Sequence, residues 1–355
     1  MNLSSGRDRG AQKDYNAPAR RGRAKDSRRP GEAMRNGETD TSVAVLCVTA
    51  AMCCFGVVPI FLRYLTGEVD PAVYVDPWTV NAIRYSIAAL LWLPFVLVLG
   101  RKRAARPGQP AAGSVWRAAL VPAGVNLIGQ VGWGVSPYFV EAPTIGFVIR
   151  TSFLFTVLFG FLMIPDERRL AGKSTFLAGA AVCLGGVAIM FLEGLLGAAQ
   201  SPLVGLTIVV ATAMFWGAYA VSVRLCMGGY PSRVAFGVVS LYTAGALVVL
   251  ATVMRAFVPG RYPDLTEICG GAWAVMIVSG FIGIAFGHIL YYRGIHRLGA
   301  VVSSGIMLGT PFVTLATAYA VLGETMTGAQ LAGGLAVVAG GVLLLKAKAQ
   351  TEAGT

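Results

Sequence analysis

The chain has 355 residues, of which 55% are hydrophobic and only 13% charged, and 45 are glycine; its mean hydropathy is +0.67. A water-soluble domain of this length needs roughly twice that charged share to cover its surface, so a soluble globular fold is excluded. The net charge of +12 invites a nucleic-acid partner, but the placement of the basic residues along the chain argues for a lipid bilayer and no nucleic acid.

Residues 1–41 carry ten basic and six acidic residues among Gly, Pro, Ser and Asn, with no apolar periodicity. They read as a disordered basic cytoplasmic tail, too long and too charged for a secretory leader; a contact with anionic lipid is the functional alternative, and Met34 an alternative start. Ten stretches then follow that are apolar and long enough to cross a ~30 Å hydrocarbon core. They are Ser42–Tyr64, Trp78–Leu99, Ala118–Phe139, Thr144–Ile164, Thr175–Phe191, Pro202–Val223, Val234–Met254, Ala272–Tyr292, Ala300–Leu322 and Ala329–Leu345. The expected fold is an all-α polytopic membrane protein. With the N-terminus in the cytoplasm and the helices alternating, 24 of the 29 basic residues fall on the cytoplasmic side and three, Arg63, Arg255 and Arg261, outside. That split predicts a multi-pass protein of the cell (inner) membrane with both termini cytoplasmic, residues 347–355 forming a short C-terminal tail.

The chain repeats itself. "AAMCCFGVVPIFLR" (Ala50–Arg63) matches "ATAMFWGAYAVSVR" (Ala211–Arg224), so that Gly56 falls on Gly217; "FTVLFGFLMIPDE", ending at Glu167, matches "FVTLATAYAVLGE", ending at Glu324. Each half, 42–193 and 202–346, holds five helices. An odd number sets the second half upside down relative to the first, giving two inverted five-helix repeats, with a solute site expected at the midplane between them. The paired Phe/Trp-Gly in each first helix, "DPWTVNAIRYSIAAL" and "PFVTLATAYAVLGETMT" resemble the EamA-like branch of the drug/metabolite transporter superfamily. That resemblance implies a ten-helix fold, a central cavity lined by the first four helices of each half, and transport of small metabolites, often efflux. Gly56, Gly217, Arg84, Pro311, Glu167 and Glu324 sit on the family pattern, whereas Leu154 stands in the first half where Pro311 stands in the second.

Two arginines stand out, each six residues inside an apolar stretch and hence about 9 Å deep at 1.5 Å per residue. A guanidinium at the centre of a span costs ~2.5–3.5 kcal/mol on insertion scales, so Arg84 and Arg150 either snorkel to the surface or serve a solute. Facing one cavity, they would hold a carboxylate or phosphate by paired hydrogen bonds. Asn126, Gln130 and Trp133 share a face of the third helix, Trp216 and Tyr219 one of the sixth, and Thr310 belongs to a polar stripe on the ninth. These are substrate-site candidates, with helix–helix hydrogen bonding the competing account. Acid groups are scarce at depth, so if protons drive transport His288 or Glu141 must carry them, with packing the competing account for His288; otherwise the protein is an exchanger or a facilitator. Glu167 and Glu324, each just before a helix, are expected to complement a helix N-terminus.

Other chemistries fail. "GKST" at Gly172 lacks the glycine and the strand of a phosphate-binding loop. His288 and His296 have no carboxylate near them in sequence, so neither a metal nor a cofactor is expected. The six cysteines form no ligand motif and read as small apolar fillers. Small-residue seams, Ala181-x-x-x-Gly185 on the fifth helix and Ala332-x-x-x-Ala336-x-x-x-Gly340 on the tenth, suit close packing within the chain or in a homodimer. The function expected is secondary transport of a small organic metabolite, as an exporter of amino-acid-like or other carboxylate-bearing solutes. Uptake or exchange of nucleotide-like anions is the alternative, and an intramembrane enzyme the disfavoured reading of another class.

Overall fold

The computed structural model describes residues 30–104, 112–164, 173–196, 201–227, 230–258 and 262–352. The chain divides into residues 1–40 and 41–355. In the first unit, residues 30–40 are helical and open α1 (Pro30–Tyr64). Residues 30–41, expected in the disordered tail, are therefore helix: once a long helix is nucleated, each further residue adds a hydrogen bond at little cost. The rest of that tail lies outside the described residues.

The second unit is helical throughout its described residues: α2 (Pro77–Ala104), α3 (Ala112–Val135), α4 (Ala142–Val148), α5 (Ser152–Met163), α6 (Ser174–Leu196), α7 (Ser201–Met227), α8 (Ser232–Phe257), α9 (Gly270–Ser279), α10 (Gly287–Met307), α11 (Thr310–Leu322) and α12 (Gly328–Glu352). Among the described residues nine stretches are long and apolar enough to cross a membrane, and Ser174–Met190 is a shorter tenth. The protein is a polytopic helical membrane protein.

Three spans depart from a plain helix. The fourth is cut into α4 and α5 by a 3-10 turn, Ile149–Thr151, with Arg150 at its centre. The ninth is interrupted at Leu308–Gly309, just before Pro311 in the first turn of α11. The eighth carries a π-helical segment, Gly280–Phe286, between α9 and α10. Both fourth-type spans thus break, although only the second half carries a proline there. In the first half the Thr151 hydroxyl donates to the Val148 carbonyl at 2.8 Å, supplying a local partner inside the break. Chain direction reverses between Gly294 and Gly309. Gly287 and Gly294 meet Phe55 and Val48 in that order, running against α1, whereas Gly309 meets Met52 and Val313 meets Gly56, running with it.

The most extensive helix contact among the described residues joins α6 to α12. A Cβ on Gly186 would lie 2.5 Å from the Gly333 carbonyl oxygen, so only glycine permits this approach. Within the chain the seam on α6 is Gly179, Cys183 and Gly186; Gly185, on the expected Ala181–Gly185 seam, has open space where a side chain would go. Small residues cover both faces of α6, and the sequence does not rank them. A second pair of contacts crosses between the halves. Gly56 of α1 packs on Val313 of α11, and Gly217 of α7 packs on Phe155 and Thr156 of α5.

At the end of the bundle where α1 terminates, Leu62, Leu65, Val73, Val75, Val140 and Ile145 form one buried apolar cluster that continues inward to Val58, Trp133 and Ile149. A polar layer lies over it. Asp76, fully buried, accepts from Thr79 N at 2.9 Å as the N-cap of α2 and pairs with Arg255 Nη2 at 3.3 Å.

Candidate functional site

Inward of the apolar cluster the helices line a cavity of about 330 Å³. Its position follows from the breaks. The 3-10 turn aims Arg150 inward from the fourth span, and the π segment contributes Gly283 and Ile284 from the eighth. A uniform helical wheel does not place Arg150, because the 3-10 turn resets the angle between α4 and α5. Local irregularities of this kind recur at functional positions because they expose backbone and redirect side chains.

Arg84 and Arg150 both line the cavity. Arg84 is 1% exposed and its Nε donates to Ser279 Oγ at 2.9 Å. The Nε of Arg150 is buried without a hydrogen-bond partner. A snorkelling arginine would hold its guanidinium toward a helix end; these two face the interior. No carboxylate lines the cavity among the described residues.

Asn126, Gln130, Trp133, Trp216, Tyr219 and His288, picked from the sequence, line the same space. Asn126 Nδ2 donates to Thr243 Oγ1 at 3.0 Å and to the Tyr85 hydroxyl at 3.4 Å. The Trp133 and Trp216 rings sit 5.0 Å apart, and the buried Nε1 of Trp216 has no partner. His288 stacks on Phe236 at 4.5 Å and meets Phe55 edge-on at 4.9 Å. The site therefore combines aromatic walls with two guanidinium groups and the side-chain amides of Asn126 and Gln130.

Other expectations are corrected. Thr310 is not at the cavity: its hydroxyl donates to the Met307 carbonyl at 2.6 Å, and its own carbonyl lies against Gly56. The polar stripe on the ninth span is spent on the helix break and on the contact with α1, where Thr314 Oγ1 donates to Gly56 O at 2.7 Å. Glu324 does complement a helix N-terminus, but that of α4 rather than of the helix after it: Oε2 accepts from Ala142 N at 2.8 Å. The start of α12 is served by Thr327 and Gln330, which bond each other's backbone N–H. Glu324 also pairs with Arg63, whose Nη1 donates to Pro137 O at 2.7 Å. Glu141 belongs to this end layer and not to the cavity. Burial holds its carboxyl above the usual range, and the Glu324 charge adds to this while Arg63 opposes it. Glu167 lies outside the described residues.

Sequence reading missed Tyr85, Phe236, Tyr291 and the π segment as cavity wall. The signal for the last is the run of Gly280, Gly283 and Gly287 on one side of an otherwise bulky helix.

Comparison with known proteins bears on the same architecture. The profile of the EamA-like transporter family matches residues 203–346. The chain is 26% identical over 271 residues to the uncharacterized protein PA1977 of Pseudomonas aeruginosa, covering 76% of this chain and 85% of that one. A solved structure titled only as a crystal structure of a protein superposes with a TM-score of 0.54 at 18% identity. It covers 85% of this chain and 96% of its own, a likeness of fold alone.

Proposed function

We propose that this chain, whose residues 203–346 are an EamA-like transporter unit of the drug/metabolite transporter superfamily, is a secondary transporter of small organic anions. The observation that carries the reading is the pair Arg84 and Arg150 in one cavity with no carboxylate among its described lining residues. Burying guanidinium groups without counter-charge is costly, and an anionic solute removes that cost. A volume of about 330 Å³ suits a small metabolite rather than a lipid or a polymer. Trp133, Trp216, Tyr219 and Phe236 provide apolar surface for the solute's body. Amino-acid-like and other carboxylate-bearing solutes meet these demands.

Alternating access by two inverted halves is the mechanism proposed. The mirrored contacts support it, since Gly56 in the first half and Gly217 in the second each pack on the other half's fourth span. The apolar cluster and polar layer at the α1 C-terminal end separate the cavity from that side. On the positive-inside count this is the external side, and a state closed outward is one that alternating access visits in either direction of transport.

The test begins with a metabolite comparison between deletion and overexpression strains to identify the solute. Its flux is then measured in membranes holding equal amounts of wild type, Arg84→Lys, Arg150→Lys and Arg150→Leu. All three variants are expected to insert normally and to lose most of their flux, because Lys does not reproduce the planar fork. Wild-type flux by Arg150→Leu would overturn the reading.

A further inference from the structure

This step rests on the reading of the cavity as the solute site and concerns the charge of the solute. No Asp or Glu stands within any of the described membrane-crossing stretches. Near the cavity's closed end, Asp76 is committed to Arg255 and Glu324 to Arg63. Arg84 finds a neutral hydroxyl, Ser279 Oγ, for its Nε, and the Nε of Arg150 finds nothing. A hydroxyl satisfies a donor without cancelling charge. Guanidinium stays protonated in proteins, so the cavity carries two positive charges and, among its described lining residues, no negative one.

A monoanion would neutralise one and leave the other buried and uncompensated. A dianion neutralises both, and its several acceptor oxygens suit the paired donors of two guanidinium groups. We infer that the cavity is built for a solute carrying two negative charges, a dicarboxylate or a phosphate monoester, in preference to a monocarboxylate or a zwitterion.

The experiment uses the purified full chain and follows the tryptophan fluorescence to which Trp133 and Trp216 contribute from the cavity wall. Sulfate and succinate serve as dianion probes, nitrate and acetate as monoanion probes, all at constant ionic strength. At least one dianion is expected to saturate the signal at least ten-fold more tightly than its monoanion counterpart, sulfate against nitrate or succinate against acetate. Arg84→Gln and Arg150→Gln should each weaken dianion binding at least ten-fold and shrink that preference. Equal affinity for the two charge classes, or no saturable dianion binding, overturns the inference. If monoanions bind more tightly and the arginine variants abolish this, the charge assignment falls while the anion site stands. If no anion binds and the variants change nothing, both fall. The wild-type ratio decides the matter by itself should a Gln variant fail to fold.

Discussion

Arg63 and Glu324 stand 261 residues apart in sequence and 2.6 Å apart in space, Nε to Oε1, and their side chains are only 14% and 12% exposed. One carboxylate thereby ties the end of α1 to the approach of α12, and its second oxygen caps α4 through Ala142 N. Partly buried charge-assisted bonds of this kind are worth more than surface pairs, about 1.5–3 kcal/mol when one partner is removed. Glu324→Ala and Arg63→Ala are each expected to destabilise the protein by that amount, since each also loses a second bond, to Ala142 N and to Pro137 O respectively. Chemical unfolding of both single variants and the double variant checks this. A coupling of about 1 kcal/mol or more between the two sites is expected, and strictly additive effects would remove the pair from the account.

Glu141 gives the end layer a pH dependence of known sign. Its carboxyl is held above the ordinary value of 4.5, by burial first and by the Glu324 charge second. The folded state therefore binds this proton more tightly than the unfolded chain does. Stability falls as pH rises from 4.5 through the raised value, and the penalty persists at higher pH. Glu141→Gln removes the charge and keeps the shape. Its melting temperature should exceed that of wild type at neutral pH, and the gap should close as the pH approaches 4.5. A constant offset across that window would assign the effect to packing.

Gly56 and Gly217 occupy matching places in the two halves but face different surroundings. A Cβ at Gly217 would lie 2.7 Å from the Thr156 backbone nitrogen and 2.6 Å from Phe155 Cβ. At Gly56 the two nearest atoms, at 2.7 Å, are both in the Val313 side chain. Backbone yields less readily than a side chain, so Gly217→Ala should be the more damaging of the two. Overpacking of this order costs about 1–3 kcal/mol. Thermal unfolding of the two variants ranks them, and a larger loss for Gly56→Ala would show that α5 gives way more easily than α11.

Much of this was legible from periods and charges. Uninterrupted apolar runs place the spans, and residues that hydrocarbon does not tolerate, such as Arg84, Arg150 and Asn126, mark the cavity because the bilayer leaves them nowhere else to go. Hydroxyl-bearing residues were less informative. Thr310 satisfies itself on its own helix, an option that a threonine has and an arginine lacks. Neither the 3-10 turn at Ile149–Thr151 nor the π segment at Gly280–Phe286 has a proline inside it to announce it. The partner of Glu324 was hidden because α4 is close to it only in space.

Gly280 connects the π segment to the anion site. It opens that segment against α2, where a Cβ would lie 2.9 Å from the Arg84 carbonyl oxygen and 3.1 Å from its Cα. The neighbouring Ser279 accepts from Arg84 Nε at 2.9 Å. Adding a methyl at Gly280 must push the eighth span away from α2 and carry Ser279 with it, so Arg84 loses the bond that orients it. Gly280→Ala is expected to weaken anion binding about ten-fold, a loss of ~1.4 kcal/mol, while abundance in the membrane stays near wild type. Gly270→Ala, on the same span with open space at its Cβ, is the control and should bind as wild type does. Ser279→Ala should reproduce most of the loss. Because both substitutions act through the orientation of Arg84, the double variant should be little worse than either alone. Binding by Gly280→Ala equal to that of Gly270→Ala would show that Arg84 is held by α2 and needs nothing from the π segment.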